Sequence, residues 1–277
     1  MTNHMGGYSS GTAGAGRGQG SDGAHLRYVA LGDSQTEGVG DGDEATGLRG
    51  WADRLAEYLA ANGTRVEYAN LAVRGRLAGQ VREEQLAPAL ALDPDLATVV
   101  AGVNDLIRPG YDPDRVAGDL EAMFAALTGA GVRVATMTFP DASRIAPLAR
   151  PLVPRLLDLN ARIRAAAARH GVVVAETHGH AVATDPRLWC ADRLHCSPLG
   201  HTRIAGAMAC ALGVPGHEAW AEPLPPMPGP GLLLAVADEV RWLGSFLGPW
   251  ALRRLRGRST GDGRAPKRPE FLPVRPL

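Results

Sequence analysis

Tyr28-Val29-Ala30-Leu31-Gly32-Asp33-Ser34 joins an apolar run to a polar turn. The run reads as a buried strand. Gly32-Asp33-Ser34 reads as the exposed strand-to-helix turn that such a strand delivers, with a hydroxyl at its tip. Outward from this stretch the chain alternates strand-like and helix-like segments, the pattern of parallel strands joined by crossover helices. Trp51, Leu55, Tyr58 and Leu59 share one face at helical spacing and predict a helix over 50–62, stopped by Asn62-Gly63. Strands are expected at 65–71, at 96–101 (the apolar run Leu96-Ala97-Thr98-Val99-Val100-Ala101), at 132–138 and at Val172-Val173-Val174. Helices are expected at 77–91, 114–129, 151–169 and 198–212. The expected fold is a three-layer α/β/α sandwich around a five-stranded parallel sheet.

Four short blocks stand out along this frame. Asp192-Arg193-Leu194-His195 places a carboxylate three residues before an imidazole, close enough to orient and polarise it. A serine hydroxyl is a weak nucleophile at neutral pH and needs such an oriented base. Ser34, Asp192 and His195 therefore form a candidate nucleophile, orienting acid and base, in the chain order Ser, Asp, His. Between them lie Asn70-Leu71-Ala72-Val73-Arg74-Gly75 and Gly102-Val103-Asn104-Asp105, each after a β-like run. Glycine lets a backbone N–H approach a reacting atom, and an asparagine amide can hydrogen-bond a developing oxyanion.

These blocks resemble those of the SGNH/GDSL hydrolases, over residues 27–213. The resemblance implies a flavodoxin-like strand order and an esterase or lipase-like serine hydrolase that needs no cofactor. It makes Ser34 the nucleophile, His195 the base and then the acid, and Asp192 the orienting carboxylate. The oxyanion hole it implies is the N–H groups of Ser34 and Gly75 with the Asn104 side chain. Gln35 stands where the GDSL signature has leucine, a departure expected to bear on packing or substrate choice. Asp33, Arg108 and Phe139 are further expected at the substrate pocket, Arg108 as a contact for an anionic group and Phe139 from the loop after the strand at 132–138. The same site serves an acyltransferase or thioesterase equally well on paper, and a catalytically silent lipid- or carbohydrate-binding module is the third reading. Short acyl chains are expected, because no long apolar insertion interrupts 27–213.

The chain has 277 residues, 45% of them hydrophobic, and zero formal net charge, enough for one sizeable core and without the overall basic balance of a nucleic-acid binder. The expected organisation is a Gly/Ser-rich disordered tail over 1–25, the hydrolase domain over 26–213, a Pro-rich linker over 214–230, and an amphipathic helix with a basic tail over 231–277. The last 27 residues carry eight basic side chains against Asp262 and Glu270, a surplus suited to peripheral contact with an anionic membrane or a protein partner. With no apolar leader and three cysteines, a reducing cytoplasm is the expected compartment. Cys190, His195, Cys196 and His201 carry metal-ligating atoms, but their spacing is not that of a zinc site and no metal is expected. His178 and His180 lack a third ligand and read as surface or loop histidines. The glycine-rich acidic segment Gln35–Glu44 reads as a mobile loop, either a lid or a solvated surface.

Overall fold

The computed structural model describes residues 24–43, 45–227, 232–249, 252 and 259–275. β1 (His25–Gly32) has five consecutive buried residues at its carboxyl end, as a strand covered on both faces requires. It pairs in parallel with β4 (Arg65–Asn70) on one side and β5 (Leu96–Val100) on the other. Beyond β5 lie β6 (Arg133–Met137) and β7 (Val173–Ala175), also parallel. β2 (Gly42–Asp43) and β3 (Gly47–Leu48) form a separate small hairpin. The main sheet runs β7-β6-β5-β1-β4-β8.

β8 (Arg268–Pro273) corrects the expected count of five strands to six. It adds antiparallel to β4 at the sheet edge, with Tyr68 opposite Leu272 and Asn70 opposite Arg268. The Arg268 guanidinium donates to the Tyr68 carbonyl at 2.7 Å and lies 5.2 Å from the Tyr68 ring centre. Phe271 packs against the core. A stretch that reads as tail in the sequence is thus part of the sheet. The run 253–258, with four of the tail's arginines, lies outside the described residues, as do residues 1–23 and most of the expected linker's end at 228–231.

Two layers of helices cover the sheet. α2 (Trp51–Ala61) and α7 (Pro198–Ala211) pack on each other, and α5 (Pro113–Gly129) packs on both α3 (Ala78–Ala91) and α6 (Val153–His170). Trp51 and Leu55 are fully buried while Tyr58 and Leu59 complete that face at the core's margin. Asp112 caps α5 by accepting from the N–H groups of Asp114 and Arg115 at 3.1 Å each. Two one-turn helices, α1 (Ser34–Glu37) and α4 (Val103–Leu106), follow β1 and β5 directly. α8 (Leu232–Trp242) is the start of the expected amphipathic helix. Among the described residues no helix is long and apolar enough to cross a membrane.

The chain order reverses across β1, whose neighbours β4 and β5 lead to opposite edges. Loops leaving the carboxyl ends of β1, β4, β5 and β7 therefore gather at one sheet edge, where open α/β sheets bind their ligands.

Candidate active site

Asp33 starts the nucleophile turn. Its Oδ1 accepts from the Gln35 N–H at 3.2 Å and its carbonyl accepts from the Glu37 N–H at 2.8 Å, which closes the first turn of α1 with Ser34 at its head. Asp33 Oδ2 accepts from Asn104 Nδ2 at 2.9 Å, so the β1 and β5 turns are joined through their own motif residues. Burial pushes the Asp33 carboxyl up to about 6, against the pull of the Gln35 N–H, His195 and Asn104.

The loop after β4 is fastened to α1. Asn70, fully buried, donates to the Thr36 carbonyl at 2.8 Å and accepts from the Ala72 N–H at 3.0 Å. Glu37 receives the Arg74 N–H and the Arg74 guanidinium, each at 2.6 Å. These bonds set Gly75, whose φ of +77° favours glycine and whose missing Cβ leaves room for Ser259 Oγ, which a side chain would strike.

His195 comes from the loop between β7 and α7. Its Nδ1 lies 2.6 Å from Asp192 Oδ2, while Asp192 Oδ1 accepts from the Leu194 and His195 N–H groups at 3.0 Å each. Burial raises the Asp192 carboxyl, but the His195 ring and these N–H groups outweigh it and hold the group below the usual carboxylate range. With Nδ1 held by Asp192, Nε2 is the ring nitrogen left for proton transfer.

Three further groups hold this loop, and sequence reasoning missed all of them. Gln35 Nε2 donates to the Leu194 carbonyl at 2.8 Å and Gln35 Oε1 accepts from the Cys196 N–H at 3.4 Å, so the departure from leucine has a polar role bracketing His195. Gly40 lies so close to the Cys196 carbonyl that a Cβ would collide with it, and Asp41 is paired with Arg54. Gln35 and Gly40 of the glycine-rich acidic segment therefore lie against the histidine loop. Trp242 Nε1, from the end of α8, donates to the Asp192 carbonyl at 2.9 Å, and Arg193 is held between Glu239 at 2.5 Å and the Trp242 ring at 4.8 Å. Gln35 was adjacent to the nucleophile and already unusual, a usable signal. Nothing local marked Trp242 as a neighbour of Asp192.

Two cavities meet at Ser34. The larger, about 360 Å³, is lined by Ser34, Gly75, Asn104, Asp192 and His195, with apolar walls from α4, from residues 142–156 and from Trp242, Phe246 and Leu247. The smaller, about 120 Å³, is lined by Asp33, Ser34, Gln35 and Asn104 with Met137, Phe139, Trp189 and Trp220. Every expected nucleophile, acid, base and oxyanion residue therefore faces one cleft, and Asp33 and Phe139 face its annex. Arg108 is in the wall of neither cavity. Trp220, from the stretch read as a linker, closes the annex.

Asn104 Nδ2 donates to Asp33 Oδ2 and, at 3.1 Å, to the Arg76 carbonyl. An oxyanion must share or exchange one of these bonds to use this donor. Near the site, Cys190 Sγ contacts the Cys196 carbonyl at 3.3 Å, and His201 spans the Trp51 N–H and the Val39 carbonyl at 3.1 Å each. His178 Nδ1 lies 3.2 Å from the Phe139 carbonyl, and His180 packs 4.6 Å from the Trp220 ring.

Residues 30–203 match the GDSL-like Lipase/Acylhydrolase family. No curated protein sequence matches the chain. Solved structures share the fold. LAE5, an alpha/beta hydrolase enzyme from the metagenome of Lake Arreo, Spain, is 22% identical with a TM-score of 0.57, over 70% of this chain and 97% of its own. The psychrotrophic esterase EstA from Pseudoalteromonas sp. is 16% identical with a TM-score of 0.55, over 68% and 97%. A variant of Axe2, an acetyl xylan esterase from Geobacillus stearothermophilus, is 17% identical with a TM-score of 0.59, over 69% and 96%.

Proposed function

The chain belongs to the GDSL-like lipase/acylhydrolase family and is an SGNH-type carboxylic ester hydrolase, and from that premise we propose that Ser34, His195 and Asp192 cleave short-chain acyl esters through an acyl-enzyme. The observation that carries this reading is the convergence of Ser34, Gly75, Asn104 and the Asp192–His195 pair on one cavity, from four separate loops.

The chemistry follows from the positions. Ser34 Oγ attacks the ester carbonyl carbon while His195 Nε2 takes its proton, and Asp192 stabilises the imidazolium that forms. Negative charge collects on the carbonyl oxygen, for which the N–H groups of Ser34 and Gly75 and the Asn104 amide are the donors. Collapse breaks the bond to the alcohol oxygen, which leaves with the proton from His195. Water then attacks the acyl-enzyme, His195 takes its proton and returns it to Ser34, and the acid departs.

The acyl group has a place that fits the short-chain expectation. The smaller cavity touches Ser34 and Asn104 but not His195. Its roughly 120 Å³, the smaller of the two spaces at Ser34, suits a short acyl chain. The three cysteines are free thiols, which suits a reducing cytoplasm.

Hydrolysis of p-nitrophenyl acetate and butyrate by the wild type and by Ser34→Ala tests the assignment. Loss of roughly a thousand-fold or more in kcat is expected for a folded Ser34→Ala protein. An unchanged rate removes Ser34 as nucleophile.

A further inference from the structure

The larger cavity is left over once the acyl group is placed, and its position relative to His195 says what enters it. In the first half of the reaction His195 must hand its proton to the leaving oxygen, so the alcohol has to lie on the histidine's side of Ser34. Only the larger of the two cavities at Ser34 is lined by His195. We infer that this cavity is a leaving-group site built for a bulky, uncharged, apolar alcohol, so that the substrate is a short-chain ester of such an alcohol. The inference rests on the esterase reading above and extends it to the other half of the substrate.

Size and chemistry agree. The cavity has three times the volume of its neighbour, about 360 Å³ against about 120 Å³. Room on this scale admits an alcohol well larger than methanol or ethanol. Leu148, Leu152, Leu156, Phe246 and Leu247 supply its walls away from the catalytic groups. A sugar or another polyol would leave its hydroxyl groups against these walls without hydrogen-bond partners, which is costly. Arg193, the one arginine among the described residues of the wall, is paired with Glu239 and stacked on Trp242, so it is not offered to an anion.

One wall of this site is an addition to the family's fold. The family match ends at residue 203, and the similar structures use nearly all of their own length to cover about 70% of this chain. Trp242, Phe246, Leu247 and Thr260 all lie beyond that point. Among its described residues the added segment is bonded to the catalytic loop through Trp242 and Asp192, lies against Gly75 at Ser259, and joins the sheet through β8. Its described residues Trp242, Phe246, Leu247 and Thr260 thus line the binding site.

The test uses the full-length enzyme and two ester series that share leaving groups of similar basicity. Along ethyl, butyl and hexyl acetate, kcat/KM is expected to rise by at least about tenfold in total, as added methylenes are buried. Along hexyl acetate, butyrate and octanoate it is expected to fall beyond butyrate. Phe246→Ala is expected to lower the hexyl-to-ethyl ratio severalfold, chiefly through KM for hexyl acetate. A flat alcohol series, or a rate that climbs with acyl length instead, overturns the assignment while leaving the esterase reading intact. Failure to hydrolyse any ester of either series sinks the esterase reading itself, and this inference with it.

Discussion

Gln35 Nε2 donates to the Leu194 carbonyl oxygen at 2.8 Å, so the residue after the proposed nucleophile holds the residue before the proposed base. Together with the Cys196 N–H to Gln35 Oε1 contact, this brackets His195 from both sides. Gln35→Leu restores the family's signature residue and removes both bonds. At about 1 kcal/mol per hydrogen bond, a fall in kcat of roughly tenfold is expected, with KM little changed and the circular dichroism spectrum intact. Gln35→Leu with wild-type kcat would show that His195 is positioned without it.

Asn104 is tied to Asp33 and to the Arg76 carbonyl in the resting site. As an oxyanion donor its removal costs transition-state binding. Asn104→Ala should lower kcat on p-nitrophenyl acetate by roughly a hundred- to a thousand-fold. A loss confined to KM would assign it to ground-state binding instead.

Glu37 and Arg74 form a largely buried ion pair that also captures the Arg74 N–H, one residue before Gly75. Glu37→Gln keeps the shape but removes the carboxylate charge from this pair. The expected cost is about 3 kcal/mol, read from urea unfolding at pH 7. Activity should fall further than the folded fraction does, because the loop bearing Gly75 loses its anchor. Unfolding midpoints that coincide with the wild type would remove the pair from the account of stability.

His201 is buried, accepts from the Trp51 N–H at Nδ1, and is pushed down by burial from its ordinary 6.5 to about 4. Between these values the unfolded chain binds the proton and the folded one does not, so this group's contribution is full above 6.5 and is lost as pH falls toward 4. Asp33, raised by burial to about 6, acts in the opposite sense: its penalty at neutral pH is relieved on acidification. The two overlap, so the comparison needs a variant. The stability gap between wild type and His201→Gln should shrink by up to about 3 kcal/mol from pH 7 to pH 4. A gap independent of pH would mean that His201 titrates normally in the folded protein.

The strands that carry the site were legible because β1 and β5 are continuous apolar runs, with the Ser34, Gly75 and Asn104 blocks directly after β-like runs and the Asp192–His195 pair further along the chain. β8 was not legible, because Pro269 and Pro273 argue against a strand, and only an edge position with an unpaired side tolerates them. The contacts of the loop after Ser34 were hidden for a related reason. Gly40 brings the backbone against the Cys196 carbonyl, a contact 156 positions away that composition cannot show. An amphipathic helix at the C-terminal end is expected to pack on the domain or on a partner, and Trp242 is buried on the histidine loop. Amphipathic periodicity shows that a helix has an apolar face without saying what covers it.

The central claim is that Ser34 is the nucleophile of a cleft it shares with His195. Incubation with diethyl p-nitrophenyl phosphate, followed by peptide mass mapping, reads it directly. The account predicts a single diethylphosphoryl adduct on Ser34, formed in step with loss of esterase activity and absent from both Ser34→Ala and His195→Ala. An adduct on another residue accompanying inactivation, or inactivation of Ser34→Ala at the wild-type rate, would contradict it.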